Sequence, residues 1–340
     1  MNPSFRVRPA RGEDFAAVYE MAKLTGGGFT NLPADKATLA GKIAMSDESF
    51  ARDEEEQRGD LYLFMLEDPG REIIRGTCQV FGAVGLDRQF YSYRMSTLTQ
   101  HSQELGKTFR NETLNLSTDL EGSSEVGGLF LHPHERAGGL GLLLARSRYL
   151  FIRAHRQRFG DCVLAELRGV MDESGNSPFW DALAGRFFGL SFPEADAFNA
   201  VHGTQFIADL MPKTPIYTAM LPDTARAVLG HPHPTGRAAL RMLEGEGFKF
   251  DRYIDIFDGG PTVTASTDQI QTIRMARDFT VTAIEEGGSH QVIAAAGRLK
   301  NFAACYASIR HDGPDGAVID PPAADLLGIG VGDRFAAVAR

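Results

Sequence analysis

Hydrophobic and polar positions along the first third of the chain change period several times, and each change marks an element. "FRVRPA" sets Phe5, Val7 and Pro9 against Arg6, Arg8 and Ala10, the period of two of a strand. "GEDFAAVYEMAKL" follows with Phe15, Val18, Tyr19 and Ala22 at helical spacing and Asp14 as an acid in the first turn. "TGGGFTNLPAD", Thr25 to Asp35, is a glycine-rich loop, after which Leu39, Ile43 and Ala44 restore the helical period. "LYLFMLED" and "IIRGTCQVFGAVG" flank "PGRE", which predicts an antiparallel hairpin. Residues Asp87 to Thr118 are polar and mixed, and their pattern predicts little beyond short strands or loop.

In the middle of the chain "SSEVGGLFLHP" predicts a strand, with Gly127 and Gly128 adjacent in its interior. Paired glycines there mark a bulge or a close approach by another backbone or a ligand. From Leu142 onward Leu143, Leu144, Leu150, Phe151 and Ala154 form one helical face, while Arg146, Arg153 and Arg156 form another. "CVLAELRG" is a buried strand, and "SPFWDALAGRFFGL" a helix capped by Ser177 with Pro178 at its first position. Phe192 to Pro215 forms a helical insertion; "AALRMLEGEGFKFDRYIDIFDGG" is a helix, a stop at Gly247 and a strand. Short apolar runs such as "HQVIAAAG", "ACYASI", "GAVID" and "DRFAAVAR", separated by Gly and Asp turns, then predict a small β-rich C-terminal module over 262–340. This leaves an α/β layer domain, largely antiparallel in its first half, over 1–261.

Composition narrows the function classes. The 340 residues are 43% hydrophobic and 23% charged, an ordinary globular balance, with no apolar run of the length a membrane span needs. Charges occupy the stretch where a signal peptide carries its apolar segment, so the reading is a cytoplasmic protein with no membrane partner. A net charge of -9 disfavours nucleic acid and suits a small, cationic substrate. Cys78, Cys162 and Cys305 are far apart, with no metal-ligand spacing, and read as small buried residues; no metal is expected.

"RAGGLG" joins the glycine-kinked strand to the apolar helix. Strand, Arg136-x-x-Gly139-x-Gly141, helix describes an anion cradle. First-turn N–H groups point into the loop, the helix dipole favours negative charge, and the glycines, Gly138 among them, admit a pyrophosphate. The Walker and dinucleotide-binding patterns are both absent. The arrangement resembles the Gcn5-related N-acyltransferase (GNAT) superfamily, whose signature loop binds the pyrophosphate of coenzyme A and whose bulged strand holds the pantetheine arm. Gly127, Gly128 and Leu129 stand at the corresponding place.

Longer stretches, "KLTGGGFTNLPAD", "GSSEVGGLFLHP", "RGVMDESGNSPFW", "FIADLMPKTPIYT", "GHPHPTGRA" and "GFKFDRYIDIFDGGPT", resemble the arginine N-succinyltransferase family over nearly the whole chain. The resemblance implies a GNAT-like fold, a mostly antiparallel mixed sheet flanked by helices, with a small C-terminal β-barrel-like module. It also implies transfer of a succinyl group from succinyl-coenzyme A, a co-substrate rather than a resident cofactor, to the α-amine of L-arginine. Ornithine as acceptor, a homodimer or related-subunit assembly, and a non-catalytic coenzyme A-binding subunit are the alternatives. In "HPHPTG" both His231 and His233 precede proline; the flanking residues favour His233 as the implied catalytic acid, with His231 the alternative. Leu129 matches the succinyl-coenzyme A contact. Glu125, Glu166 and Asp258 are candidates for the guanidinium, and Arg168 for the α-carboxylate.

Overall fold

The computed structural model describes residues 5–25, 31–86, 88–136, 138–203 and 205–340. The first half alternates helices with a meander of strands: β1 (Arg6–Pro9), α1 (Phe15–Leu24), α2 (Lys36–Ala51), β2 (Leu61–Asp68), β3 (Ile73–Phe81), β4 (Ser92–Ser102), β5 (Lys107–Ser117) and β6 (Ser124–Leu131). The glycine turn leads into α3 (Leu140–Ala154) and then β7 (Cys162–Glu166). A run of short helices follows: α4 (Pro178–Ala182), α5 (Gly185–Phe188), α6 (Phe192–His202), α7 (Gln205–Leu210), and, past β8 (Ile216–Tyr217), α8 (Asp223–Arg226). α9 (Arg237–Gly245), β9 (Lys249–Asp255), β10 (Pro261–Ser266) and α10 (Gln271–Met275) complete this part. The remainder is β11 (Arg277–Ile284), β12 (His290–Ala296), β13 (Ala303–His311), β14 (Gly316–Ile319), α11 (Pro321–Leu327) and β15 (Arg334–Ala339).

The strands join in the order β12-β15-β11-β14-β13-β1-β2-β3-β6-β7-β10-β9-β4-β5-β8, and a further pairing of β12 with β13 closes the last five strands of the chain into a barrel. The rest is the GNAT-like layer, antiparallel apart from the β6–β7 pair. β13 belongs to both parts: Val7 faces Ala304 and Arg6 faces Cys305 across the seam. Helix α3 buries Leu143, Leu144, Phe151 and Ile152 against the sheet at essentially zero exposure. Each such side chain contributes about 1.5–3 kcal/mol of burial, so α3 is anchored along its length and its N-terminus is held in place.

The structure departs from the sequence pattern at several places. Residues 92–117 are more than short strands or loop: β4 and β5 pair in unbroken register from Ser92–Ser117 to Ser102–Lys107, one long hairpin. Its outer half is largely solvated on both faces, polar and charged but for the exposed Leu98 and Phe109, and it lacks the apolar alternation that betrays a half-buried strand. The helix expected from Ser177 breaks into α4 and α5 at Leu183, where φ/ψ of -122/-88 leave the helical region, although Ser177 caps it as expected by accepting from Trp180 N. Asp14 does not open α1 but sits in the preceding turn, buried, and both its oxygens accept from Arg8 at 2.8 and 2.9 Å. The division at 261/262 falls inside β10, which pairs with β7 and β9 of the first layer. In the loop Thr25 to Asp35, residues 26–30 lie outside the described residues.

Candidate active site

β6 and β7 run parallel and are paired only at Ser124–Val163 and Glu125–Leu164. Beyond that point they diverge, and a cavity of about 340 Å³ opens between them. Val126 to Leu129 line one wall, Ala165 to Arg168 the other, with Arg148 and Tyr149 of α3 and Thr235 and Gly236 before α9 closing the sides. The facing edges of the diverged strands no longer pair with each other, which leaves room for an extended guest between them, although Gly127 O already accepts from Arg148 Nη1 and Arg168 O from His233 N.

The glycine pair makes the bulge. Thr77 faces Phe130 and Gln79 faces Gly127, so Cys78 stands opposite two residues, Gly128 and Leu129. Gly128 has φ 57°, and a Cβ there would lie 2.8 Å from Gln79 Cγ, so both conformation and space demand glycine. Gly139 precedes the first residue of α3 with φ 77°. Its carbonyl accepts from Tyr306 Oη at 2.6 Å, and the Arg340 guanidinium lies 4.4 Å from the Tyr306 ring centroid. The barrel therefore buttresses the turn at the mouth of α3. Arg136, Gly138, Gly139 and Gly141 all fall in this turn and first helical residues, outside the 340 Å³ cleft proper.

The floor is acidic. Glu166, Asp255 and Asp258 line it, with Glu125 close by outside the lining; burial raises all four, and repulsion by neighbouring carboxylates adds to it at Glu166, at Asp258 and, least, at Glu125. Asp258 is pushed up to about 7, by burial and then by Asp255. Their existing bonds sort them. Asp258 accepts from Gly169 N at 2.7 Å and Gly260 N at 2.8 Å, one per oxygen, and so ties a turn together. Asp255 accepts from Phe257 N and Asp258 N through a single oxygen. Among the described residues Glu166 has only a 3.4 Å bond from Thr262 Oγ1, and Glu125 only a 3.3 Å bond from Asn31 Nδ2. These two retain the lone pairs that a forked cationic donor could use. Asn31 also accepts from Gln79 Nε2 at 2.8 Å, and its carbonyl accepts from Lys42 Nζ, whose pKa burial lowers to about 8.

His233 stands at the rim between two lining residues. Its backbone N–H donates to Arg168 O at 2.7 Å, and Gly169 bridges to Pro232. Nδ1 lies 2.7 Å from Thr235 Oγ1 and accepts from Thr235 N at 3.3 Å, which leaves the hydrogen of the neutral ring on Nε2. Partial burial and Arg168 hold its pKa below the ordinary value, so the ring is neutral at physiological pH. His231, two residues earlier, is exposed.

The sequence pointed to Glu166, Arg168, Asp258, Gly128 and Leu129, and these line one cavity; Glu125, also singled out, lies just outside its lining, bonded to Asn31, which is part of it. It missed Asp255 and Arg148. Asp255 lies within the quoted "DRYIDIFDGGPT", where its neighbours gave no reason to single it out. Arg148 had a legible signal: it falls one turn after Leu144 and one before Ile152, a cation on the buried stripe of α3. A larger hollow, about 640 Å³, lies between β1 and the barrel. Its Arg6 and Arg8 are already paired with Glu67 and Asp14, and it holds no group poised to react, so the smaller cleft is the candidate site. Among the described residues, no helix is long and apolar enough to cross a membrane, and no cluster of His, Cys, Asp or Glu could hold a metal ion.

Residues 5–272 match the family described as arginine N-succinyltransferase beta subunit, and residues 277–339 match its C-terminal domain. Arginine N-succinyltransferase subunit beta of Pseudomonas aeruginosa is 39% identical over 98% of this chain and 97% of its own length. Arginine N-succinyltransferase of Citrobacter koseri is 45% identical over 80% of this chain and 78% of its own. The solved structure of arginine/ornithine succinyltransferase subunit AI from Pseudomonas aeruginosa superposes with a TM-score of 0.91 at 32% identity, covering 99% of this chain and 98% of that one. A splayed, bulged strand pair beside a glycine turn, a closed barrel behind it, and likeness along nearly the full length place this acyltransferase in the arginine N-succinyltransferase family.

Proposed function

We propose that this chain transfers the succinyl group of succinyl-coenzyme A to the α-amine of L-arginine, giving N2-succinyl-L-arginine and free coenzyme A as the first step of arginine breakdown. The observation that carries the reading is the cleft: the splayed edge of a bulged strand for an extended acyl-thioester, facing a floor of carboxylates suited to a guanidinium. Coenzyme A enters along Gly128 and Leu129, with its pyrophosphate at the turn Arg136 to Gly141. Glu166 and Glu125 receive the guanidinium, Arg168 the α-carboxylate, and Asp258 holds the turn that carries the pocket.

The deprotonated amine attacks the thioester carbonyl; the C–N bond forms, the C–S bond breaks, and the proton left on nitrogen passes to the departing sulfur. His233 sits at the rim to relay that proton, its Nδ1 fixed by Thr235 and its Nε2 free to face the reactants. Much of the acceleration comes from alignment, since holding two reactants in line supplies about 7–11 kcal/mol. The three cysteines are unpaired, which suits a reducing cytoplasm.

Ornithine as acceptor is the second reading, favoured because the similar solved structure is of an arginine/ornithine succinyltransferase subunit; its terminal ammonium would meet the same carboxylates. Assembly as a homodimer or with a related subunit goes with the family's subunit names. Mass spectrometry of the product, with fragmentation to locate the acyl group, tests the reaction: succinyl on the α-nitrogen of arginine is expected. Its absence with wild type, or undiminished formation in His233→Ala together with loss in His231→Ala, overturns the reaction or the choice of histidine respectively.

A further inference from the structure

Helix α3 carries a buried cation with no anionic partner among the described residues. The Arg148 side chain is on the apolar stripe of the helix, and the residue is 4% exposed. Its hydrogen bonds are long and go to neutral backbone: Nε to Ala145 O and Nη1 to Gly127 O, both 3.3 Å. Its guanidinium also stands 5.7 Å from the Tyr149 ring centroid. No carboxylate pairs with it among the described residues, although the other buried arginines, Arg8 and Arg158, each have one. Arg148 lines the 340 Å³ cleft, on the side of the bulge rather than of the acidic floor. A buried guanidinium is costly unless an anion faces it, and here the remaining N–H groups, Nη2 among them, have only the cleft to meet one.

We propose that Arg148 forms the anionic subsite for the acyl half of the reaction, binding the distal carboxylate of a dicarboxylic acyl-thioester. The inference rests on the reading of this cleft as the acyl-transfer site, and it names the residue that would give that reading its acyl selectivity, for a four-carbon diacid monothioester over a neutral acyl chain of similar length. Position decides between the two cations. Arg168 adjoins His233 and the carboxylates, where the acceptor amino acid sits. Arg148 holds the carbonyl of Gly127 at the bulge, beside the place of the thioester. A bidentate guanidinium–carboxylate pair in a closed site also gives geometry, fixing the far end of the acyl chain so that its carbonyl meets the bulged backbone.

The experiment measures kcat/KM with succinyl-coenzyme A and with butyryl-coenzyme A, each with arginine, for wild type, Arg148→Met, Arg148→Lys and Arg168→Met. Wild type is expected to favour the succinyl thioester by at least about thirtyfold, the lower end of the effect of leaving one member of a buried charge pair without its partner. Arg148→Met should lose most of that preference through the succinyl rate while its butyryl rate changes little; Arg148→Lys should restore part of it. Arg168→Met should raise the KM for arginine and leave the acyl preference intact. Equal losses with both thioesters in Arg148→Met, alongside unchanged affinity for free coenzyme A, would make the residue merely structural and overturn the subsite. Loss of acyl preference in Arg168→Met instead would also overturn it. Absence of turnover with every thioester in wild type would overturn the acyl-transfer reading itself, a result distinct from either.

Discussion

Raising the pH from about 6 to about 8 carries the solution across the range where the floor of the cleft changes charge. Asp258, pushed up to about 7, loses its proton in this window, and Glu166 is held well above its ordinary value by burial and by Asp255, Glu125 and Asp258. Arginine's guanidinium remains charged throughout. Seating it among these groups favours their ionised forms, so the complex holds fewer protons than the free cleft and free arginine together. For one proton released around an apparent value of about 7, the ratio of the protonation factors at the two pH values is about tenfold, and the dissociation constant for arginine should fall by that amount on going from the lower to the higher. Isothermal titration calorimetry with coenzyme A present, in buffers of different ionisation enthalpy, reads both the affinity and the proton release directly. Glu166→Gln should flatten the pH dependence and reduce the release. Affinity that is constant over this range, or proton uptake on binding, would refute the assignment of the acidic floor to the guanidinium.

The same groups set a stability profile. Asp258 binds its proton more tightly folded than unfolded, where its ordinary value is 3.8, so between that value and about 7 stability falls as pH rises, with the full penalty in place above. The arginine-free protein should therefore melt higher at about pH 6 than at about pH 8, and saturating arginine should narrow the gap; calorimetric scans check this. Gly128→Ala should cut turnover sharply while leaving most of the secondary structure, because a Cβ at φ 57° meets Gln79 and shifts the bulge; the left-handed conformation alone costs about 1–2 kcal/mol. Cys78→Ala should keep turnover near wild type despite some loss of stability: its thiol is fully buried and pushed up to about 12, so no thiolate is present to form an acyl-enzyme. Steady-state rates on the folded variant decide, and complete loss would bring back a covalent route. Glu246→Ala should lower the melting temperature, since this carboxylate joins Arg146 of α3 to Thr272 of α10; breaking a buried pair costs about 3–5 kcal/mol.

What could be read from the sequence was set by how locally each feature is encoded. The glycine pair of β6, the turn before α3 and the cap at Ser177 are each specified by a few adjacent residues, and backbone conformation follows from them directly. The antiparallel hairpin of β2 and β3 was legible because both faces are buried and the runs are apolar. The β4–β5 hairpin was not, because its outer half gains no core and shows no hydrophobic period. The convergence of Glu125, Glu166, Asp255 and Asp258 depends on β6, β7 and β9 meeting across more than a hundred residues of chain, which no spacing records. Residue types suggested three of the four, while Asp255 became visible only when the fold placed it. Arg148 sits between these cases, a charge on an apolar stripe whose meaning required the cleft to be seen.

The most direct test of the central claim is the initial rate of free-thiol release from succinyl-coenzyme A with L-arginine, L-ornithine, L-lysine or no amine. Release that depends on arginine, exceeds that with lysine and collapses in His233→Ala is the predicted result. No release with any amine, or release indifferent to which amine is present, would contradict it.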